Sequence, residues 1–299
     1  MSDFGAAVKL TRPECLTYNC ATAADLSHAR SLLFTPGSDE SKLSRALASA
    51  ADAVVADLED AVVAGEKAAA RELVREVFAA TPTHPGPLRL VRINGAGTAF
   101  FADDLAAVEA VQPDALVLPK ATPAAVDELG PDGPPIVAIV ETARGVQLAY
   151  EIAARPRVVA LQIGAVDLGA EVGLEPRPDG LELLYVRSKV VLDSAAAGLR
   201  APFDAVHLDV RADDALEQEC RLARSLGLRG KACIHPAQVP IVNSAFSPSG
   251  AEIDWARKVL EAYREATADG HGVLALGGSM VDLPVVERAR RVLAEADRR

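Results

Sequence analysis

Short apolar segments recur along most of the chain and alternate with segments of mixed polarity. Each run has four to six residues, is almost continuously apolar, and is bounded by polar or turn-forming residues. Runs of this kind are typical of strands buried on both faces of a parallel sheet. We therefore predict eight strands, at Ser31–Phe34, Ala53–Ala56, Leu88–Ile93, Ala115–Leu118, Ile136–Val140, Val158–Ile163, Ala205–Leu208 and Lys231–Ile234.

The segments between the predicted strands carry apolar residues at helical spacing. Leu43, Ala46, Leu47 and Ala50 follow the i, i+3, i+4, i+7 pattern of one helix face, and similar patterns recur further along the chain. Eight consecutive strand–helix units predict an α/β fold, a closed (β/α)₈ barrel of the TIM type, and not an open sheet of two halves. No Gly-x-Gly-x-x-Gly or P-loop motif follows a strand, which argues against a dinucleotide-binding fold.

The two ends of the chain lie outside this alternation. Residues 1–29 lack clear periodicity and are interpreted as an N-terminal extension. The predicted barrel covers residues 30–246, and residues 247–299 are too many for a single barrel helix.

This C-terminal region has its own helix signals. Ser249 and Glu252 fit a capping box that starts one helix. Pro284 fits the first turn of another helix, because its missing N–H has no helical partner there. The glycine-rich stretch His271–Gly278 separates the two helices. Glycines beside a detached helix predict a mobile lid or an arm that reaches a neighbouring subunit.

Composition and charge narrow the classes of function. The 299 residues are 50% hydrophobic and 24% charged, with a formal net charge of −11, so we expect no nucleic-acid partner. No apolar run approaches the ~18–20 residues that span a bilayer. The N-terminus also lacks signal-peptide features, so we expect a cytoplasmic protein with no membrane partner. Cys15, Cys20, Cys220 and Cys233 lack zinc-ligand spacing and are interpreted as reduced thiols, with a Cys15–Cys20 disulfide as the alternative.

Polar residues gather at the carboxyl ends of the predicted strands, which is where barrel enzymes build their sites. Any one of them has a structural explanation, such as capping the next helix. A structural role is the favoured interpretation for His207 taken alone. The convergence of eight strand ends on one mouth is what indicates a site. The residues are Asp57, Glu59, Asp60, Arg92, Asn94, Lys120, Glu141, Asp167, His207, Asp209 and His235.

Glu141 and Asp167 follow adjacent predicted strands, with no cysteine or histidine close in sequence. Two carboxylates with room for water suit a hard cation such as Mg²⁺. Such a cation would hold a 2-oxo acid and polarise its keto carbonyl. Arg92 would bind a substrate carboxylate with its planar fork. The alternative for Arg92 is an ion pair with Asp57 or Glu59, and both roles are compatible.

Eight short motifs carry a resemblance to a known family. They occur in family order between about residues 30 and 295, at Arg30–Gly37, Asp57–Val62, Val91–Asn94, Leu118–Lys120, Val140–Gly145, Ile163–Leu168, Cys233–Gln238 and Gly278–Pro284. Each is weakly specific alone, but the set is highly specific. Together they resemble the citrate lyase β-subunit-like family of HpcH/HpaI aldolases.

The resemblance implies a barrel that assembles as a homotrimer or as a hexamer of two trimers. It implies that Glu141 and Asp167 hold Mg²⁺, that Glu141 and Arg92 bind substrate, and that the substrates are a coenzyme A thioester and a 2-oxo acid. It further implies that Asp282 is a catalytic acid/base supplied by the neighbouring subunit. The alternative for Asp282 is the N-cap of the helix that begins near Pro284.

The resemblance also bears on coenzyme A binding. The turn at Pro36–Ser38 opens a helix and would offer backbone N–H groups to a phosphate. Arg30 and Lys42 would assist, or else they are solvated charges near helix ends. The sequence departs from the family at Val166, where relatives often carry an acidic residue before the metal-binding aspartate.

These observations favour a Mg²⁺-dependent carbon–carbon lyase of the Claisen or aldol type. It would cleave or form a 3-hydroxyacyl thioester such as citryl-CoA or malyl-CoA. The alternatives are a malyl-CoA-type thioesterase and an aldolase that acts on free hydroxy-oxo acids. A further alternative, from a different class, is a subunit of a citrate lyase complex that works on a carrier-bound thioester.

Overall fold

The computed structural model describes residues 26–81, 86–268 and 272–297. These residues form two compact units that divide after Asn243. Most of the predicted N-terminal extension, including Cys15 and Cys20, lies outside the described residues.

The first unit is built on a parallel β-sheet, which confirms the α/β class. Within the described residues the sheet has seven strands in the order β6-β5-β4-β3-β2-β1-β7. All neighbouring strands run parallel. The strands are β1 (Ser31–Pro36), β2 (Ala53–Asp57), β3 (Leu88–Arg92), β4 (Ala115–Leu118), β5 (Ile136–Val140), β6 (Val158–Ile163) and β7 (Lys231–Cys233).

The strand predicted at Ala205–Leu208 is wrong. The chain instead meets the sheet two residues earlier, where Phe203 bridges Gln162 of β6 and Asp204 bridges Lys231 of β7. These isolated parallel bridges connect the two edge strands of the curled sheet. An apolar pattern misses this segment because one of its two bridging residues is an aspartate.

A buried ion network fixes this bridging segment. Asp204 accepts hydrogen bonds from Lys231 Nζ at 2.9 Å and from Arg187 Nε at 2.9 Å, and all three side chains are almost completely buried. Arg187 also contacts Glu219 Oε1 at 2.8 Å. Burial raises the pKa of Asp204, but the two cations outweigh it and hold the pKa below its usual value. Loss of any one partner would leave a buried charge unpaired and would destabilise the fold strongly.

The polar side chains at the strand ends lie on the same face of the sheet as the buried apolar residues that precede them. Alternate strand residues share one buried cluster, which includes Val55, Leu90 and Ile139. Because side chains alternate along a strand, the residue two positions later lies on the same face. Those positions are held by Asp57, Arg92 and Glu141. These three side chains therefore lie on one face of the sheet, next to the same buried apolar cluster.

Helices alternate with the strands along the chain, as the spacing predicts. The helix predicted around Leu43 begins at Glu40, where the Asp39 side chain accepts from the Lys42 N–H at 2.9 Å. The helices of the first unit are Glu40–Leu47, Lys67–Ala80, Phe101–Val111, Pro123–Asp127, Ala143–Gln147, Ala149–Ala153, Ala165–Val172, Leu184–Ala196, Asp213–Leu226 and Gln238–Ala245, which runs across the division.

The second unit is a helical hairpin with a small antiparallel ribbon. Helices Gly250–Ala268 and Leu283–Ala296 pack through a buried apolar cluster. Strands β8 (Leu274–Leu276) and β9 (Ser279–Val281) lie between them in sequence. The capping box is confirmed, because Ser249 N donates to Glu252 Oε2 at 2.8 Å and Glu252 N donates to Ser249 Oγ at 3.2 Å. In the described residues no helix is long and apolar enough to cross a membrane.

The glycine-rich stretch is only partly described. Its last two glycines, Gly277 and Gly278, have φ of 58° and 83° and form the two-residue turn between β8 and β9. Positive φ at both central positions is what a tight hairpin turn demands, so glycine fits here.

Candidate active site

Glu141 directly follows β5 and is 3% exposed. Its Oε1 accepts a hydrogen bond from the backbone N–H of Lys120 at 2.7 Å. Burial raises the pKa of Glu141 to about 7, and the charges of Asp167 and Glu59 add to this rise against the Lys120 hydrogen bond. The carboxylate is therefore held where its negative charge is only partly compensated.

Asp167 lies in the first turn of the helix Ala165–Val172, immediately after β6. It is more exposed than Glu141, and its Oδ1 lies 3.5 Å from the ammonium of Lys120. Lys120 thus contacts both carboxylates, through its backbone N–H on one side and its side chain on the other. The structure brings together the two residues that the sequence pairs.

The donor set suits magnesium better than a transition metal. Among the residues that the structure describes, no three His, Cys, Asp or Glu side chains form a metal cage. Mg²⁺ does not require one, because it commonly binds through one or two carboxylates and keeps several waters. Burial, and then the charges of Asp167 and Glu59, raise the pKa of Glu141, and a nearby dication would favour its ionised form.

Arg92, the last residue of β3, is held by acidic residues of the segment that ends β2. Its Nε and Nη2 donate to Asp57 Oδ1 and Oδ2 at 2.8 and 2.6 Å. Its Nη1 lies 2.9 Å from Glu59 Oε2, which accepts no hydrogen bond of normal geometry from the described residues. The ion pair with Asp57 therefore uses the forked edge of the guanidinium. Only the Nη1 side faces away from this bidentate contact.

Lys120 has an unusual backbone. Its φ of 47° lies in the left-handed region, which non-glycine residues seldom adopt. The ammonium lies 3.0 Å from Glu59 Oε1. Burial lowers the pKa of this ammonium, but the contact with Glu59 and the charges of Glu141 and Asp167 raise it above its usual value. Lys120 is therefore a cation shared among three carboxylates.

A second layer supports the loop after β2. The ammonium of Lys67 donates to the carbonyls of Leu58 and Glu59 at 2.8 and 2.9 Å. Asn94 Nδ2 donates to the Leu58 carbonyl at 2.9 Å and to buried Asp104. These contacts fix the position of Glu59 and so of its partner Lys120.

Sequence reasoning missed several residues of this site. It placed Lys120 and Glu59 at strand ends, but it gave Lys120 no role and gave Glu59 only that of an alternative ion-pair partner of Arg92. It did not single out Gly164 or Lys67. The motif Leu118–Lys120 was the available signal for Lys120. Gly164 lies within the motif Ile163–Leu168, which was the available signal for it. The structure shows its importance, since a side chain there would collide with Glu141.

The structure does not bring Arg30 to this group. Arg30 precedes β1, at the amino edge of the parallel sheet, and its Nε and Nη2 donate to Asp52 at 2.9 Å each. Lys42 lies near the carboxyl edge, in the first helix, with its ammonium 3.1 Å from Asp39. The N–H of Gly37 is already engaged, because it donates to the Asp57 carbonyl at 2.8 Å.

Asp282 and His207 have local partners. Asp282 caps the helix Leu283–Ala296, accepting from the Val285 N–H at 3.3 Å. His207 Nδ1 lies 2.8 Å from Glu219 Oε2, next to the buried ion network. The N-cap alternative for Asp282 is thus observed, while its acid/base role stays a prediction.

Several known proteins are similar to this chain in sequence. The family model described as HpcH/HpaI aldolase/citrate lyase matches residues 30–129 and 131–236. A (3S)-malyl-CoA thioesterase of Cereibacter sphaeroides is 40% identical over 272 residues, covering 90% of this chain and 94% of that protein. A citrate lyase subunit beta-like protein of Mycobacterium tuberculosis is 41% identical over 270 residues, covering 88% of this chain and 94% of that protein.

Solved structures point the same way. The protein CitE from Mycobacterium tuberculosis, crystallised with magnesium, acetoacetate and coenzyme A, superposes with a TM-score of 0.79. It is 39% identical, and the match covers 91% of this chain and 99% of that chain.

Proposed function

Because this chain belongs to the HpcH/HpaI aldolase/citrate lyase family, we propose that it is a Mg²⁺-dependent carbon–carbon lyase. It would cleave or form a 3-hydroxyacyl thioester such as citryl-CoA or malyl-CoA, with an acyl thioester and a 2-oxo acid as the other side of the reaction. The observation that carries this proposal is the contact of Lys120 with both Glu141 and Asp167 at the carboxyl edge of the sheet.

Glu141 and Asp167 would hold the cation. When bound, Mg²⁺ would polarise the keto oxygen of the 2-oxo acid and stabilise charge that develops on it. The magnesium, acetoacetate and coenzyme A bound to the M. tuberculosis protein support this choice of cofactor and substrate class. A coenzyme A thioester as substrate would also place the enzyme in the cytoplasm.

Arg92 would orient the substrate through the Nη1 side of its guanidinium, since Asp57 occupies the other edge. The substrate would share Nη1 with Glu59, whose Oε2 lies 2.9 Å away. This is a narrower role than a bidentate clamp on a carboxylate. Asp57 in turn holds the arginine plane fixed, which is what substrate positioning requires. The ion pair and the substrate contact are thus compatible.

Asp282 would exchange the proton at the α-carbon of the acyl thioester. We propose that it acts from the second unit of a neighbouring subunit in a homotrimer or hexamer, with that unit serving as the lid or arm. We also propose that the segment at Phe203–Asp204 acts as an eighth strand and completes a (β/α)₈ barrel, which the two parallel bridges support. Lys42 remains a proposed contact for the coenzyme A phosphates. Arg30 was proposed for the same role, but its contact with Asp52 at the opposite edge disfavours it.

A second candidate is hydrolysis of the thioester, as in the 40% identical malyl-CoA thioesterase. Both reactions begin from the same bound hydroxyacyl thioester. They differ in whether water attacks the thioester carbonyl or the carbon–carbon bond breaks.

One assay separates the two. The protein is incubated with malyl-CoA and citryl-CoA, with Mg²⁺ or with EDTA, and products are identified by mass spectrometry. A lyase gives a shorter acyl-CoA and a 2-oxo acid, whereas a thioesterase gives free coenzyme A and the intact hydroxy acid. Glu141→Gln, nearly isosteric with the native residue, is the matched control and is expected to be inactive. Equal turnover in EDTA would refute the metal-dependent reaction.

A further inference from the structure

The side chain of Lys120 lies where it and a bound cation would compete for one carboxylate. The ammonium is 3.0 Å from Glu59 Oε1 and 3.5 Å from Asp167 Oδ1. Glu59 is the more buried of the two partners. The lysine is thus shared between a proposed metal ligand and a carboxylate that would not bind the metal directly.

The backbone holds Lys120 in this place. Its left-handed φ of 47° and the hydrogen bond from its N–H to Glu141 Oε1 fix the residue beside the second proposed ligand. Backbone conformations of this kind persist only where the surroundings enforce them, and they cluster at functional sites. Glu59 is fixed in turn, because Lys67 donates to its backbone carbonyl at 2.9 Å.

We propose that Lys120 is a positioning residue that sets the affinity of the site for its divalent cation, with Glu59 holding the ammonium away from Asp167. This rests on the proposed cation site at Glu141 and Asp167. Two cations near one carboxylate repel each other. Because the Lys120 side chain is 46% exposed and that of Asp167 is 36% exposed, water reaches the pair and the repulsion is moderate. The cation therefore binds more weakly when the Lys120 ammonium pairs with Asp167, and more tightly when the ammonium pairs with Glu59.

The two partners of this pair should act in opposite directions. Lys120→Met keeps most of the stem and removes the competing charge, so it should tighten cation binding by about 10-fold, or about 1.4 kcal/mol. Glu59→Gln releases the ammonium toward Asp167, so it should weaken binding by at least ~3-fold. In the double variant the Glu59→Gln effect should shrink, because no ammonium remains to be released and only the loss of the Glu59 charge itself is left.

The measurement is a titration with Mn²⁺ alone, followed by the electron paramagnetic resonance signal of the free ion, without substrate. Lys120→Arg keeps the positive charge and should remain near the parent affinity. Lys189→Met removes a lysine that pairs with Asp193 on the helix Leu184–Ala196, and should leave Mn²⁺ affinity unchanged. Thermal unfolding of every variant checks that it is folded.

Weaker or unchanged Mn²⁺ binding in Lys120→Met overturns the proposal. So does a Glu59→Gln effect that persists at full size in the Lys120→Met background, since Glu59 would then act on the cation directly. Should Lys120→Met not fold, a parent-like affinity of the charge-removing variant Lys120→Gln would overturn the proposal as well. Failure of the underlying site looks different, because the parent protein would then bind Mn²⁺ no better than a Glu141→Gln, Asp167→Asn double variant.

Discussion

The carboxylate of Glu141 occupies the space that a side chain at Gly164 would need. A β-carbon built at Gly164 would lie 2.4 Å from Glu141 Cβ and 2.5 Å from its Oε2. The φ of Gly164 is −108°, which any residue can adopt, so the need for glycine here is one of space and not of backbone conformation. The residue before the Asp167 helix therefore helps to determine where Glu141 sits.

Gly164→Ala should displace the Glu141 carboxylate and disturb the proposed cation site. We expect Mn²⁺ affinity to fall by about 10-fold or more and stability to fall by roughly 1–3 kcal/mol from overpacking. Calorimetric titration and thermal unfolding measure the two effects. Gly169→Ala is the matched control, because among the described residues outside its own helix the new β-carbon would meet only Leu174 Cβ, at 3.8 Å. If Gly164→Ala binds Mn²⁺ like the parent, the close approach does not position Glu141.

The sequence predicts most strands of the sheet, and the segment that it misplaces was missed for a physical reason. The strands at Ala115–Leu118, Ile136–Val140 and Val158–Ile163 have the predicted bounds, because they are apolar runs, interrupted only by Gln162, between clear breaks. The segment at Phe203–Asp204 was misplaced because a buried ion network, and not apolar side chains, stabilises it.

The same distinction holds for the site. Strand-end position alone was enough to pair Glu141 with Asp167, since the carboxyl ends of parallel strands meet at one edge. Sequence could not show that the Lys120 ammonium lies between Glu59 and Asp167, because this depends on side-chain reach and on a left-handed backbone. It also could not decide which edge of the Arg92 fork Asp57 would occupy.

The pKa of Glu141, raised by burial to about 7 from an ordinary value of 4.5, predicts a pH dependence of cation binding. A cation requires the ionised carboxylate, so affinity should rise about 10-fold per pH unit below pH 7 and level off above it. Mn²⁺ titrations between about pH 5.5 and 8 test this. Glu141→Gln should abolish the slope, and a parent protein whose affinity is flat over this range would contradict the assignment.

The same pKa has a consequence for stability with the opposite sign. Glu141 is protonated more readily in the folded than in the unfolded chain, so ionisation costs the folded state free energy. This cost is absent below about pH 4.5 and grows until about pH 7, reaching on the order of a few kcal/mol without a bound cation. In EDTA, Glu141→Gln should therefore be more stable than the parent at pH 8 and closer to it at pH 5. Urea unfolding at the two pH values measures the difference.

Arg92→Lys should impair both function and folding. Lysine keeps the charge but cannot donate twice to Asp57, so we expect kcat/KM to fall by on the order of 10-fold or more. The loss of the bidentate contact should also lower the unfolding midpoint. Arg155→Lys is the control, because Arg155 makes a similar bidentate contact to Asp127 on the exposed surface. That change should shift stability by less than ~0.5 kcal/mol. An Arg92→Lys protein with parent kinetics on every active substrate would leave Arg92 with the ion-pair role alone.

Asp282 offers a test of shared active sites that keeps the fold intact. Its Oδ1 accepts from the Val285 N–H at 3.3 Å, so Asp282→Asn retains a capping oxygen while removing the acid. We expect Asp282→Asn to unfold at nearly the parent temperature but to be almost inactive, as Glu141→Gln should be. When the two inactive proteins are mixed and their subunits exchange, about a quarter of the sites should combine an intact Glu141 with an intact Asp282 from a neighbour. Activity should recover to about that fraction in a steady-state assay. Subunit exchange is verified separately with differently tagged chains, and a fully exchanged mixture that stays inactive would show that Asp282 does not serve a neighbouring subunit.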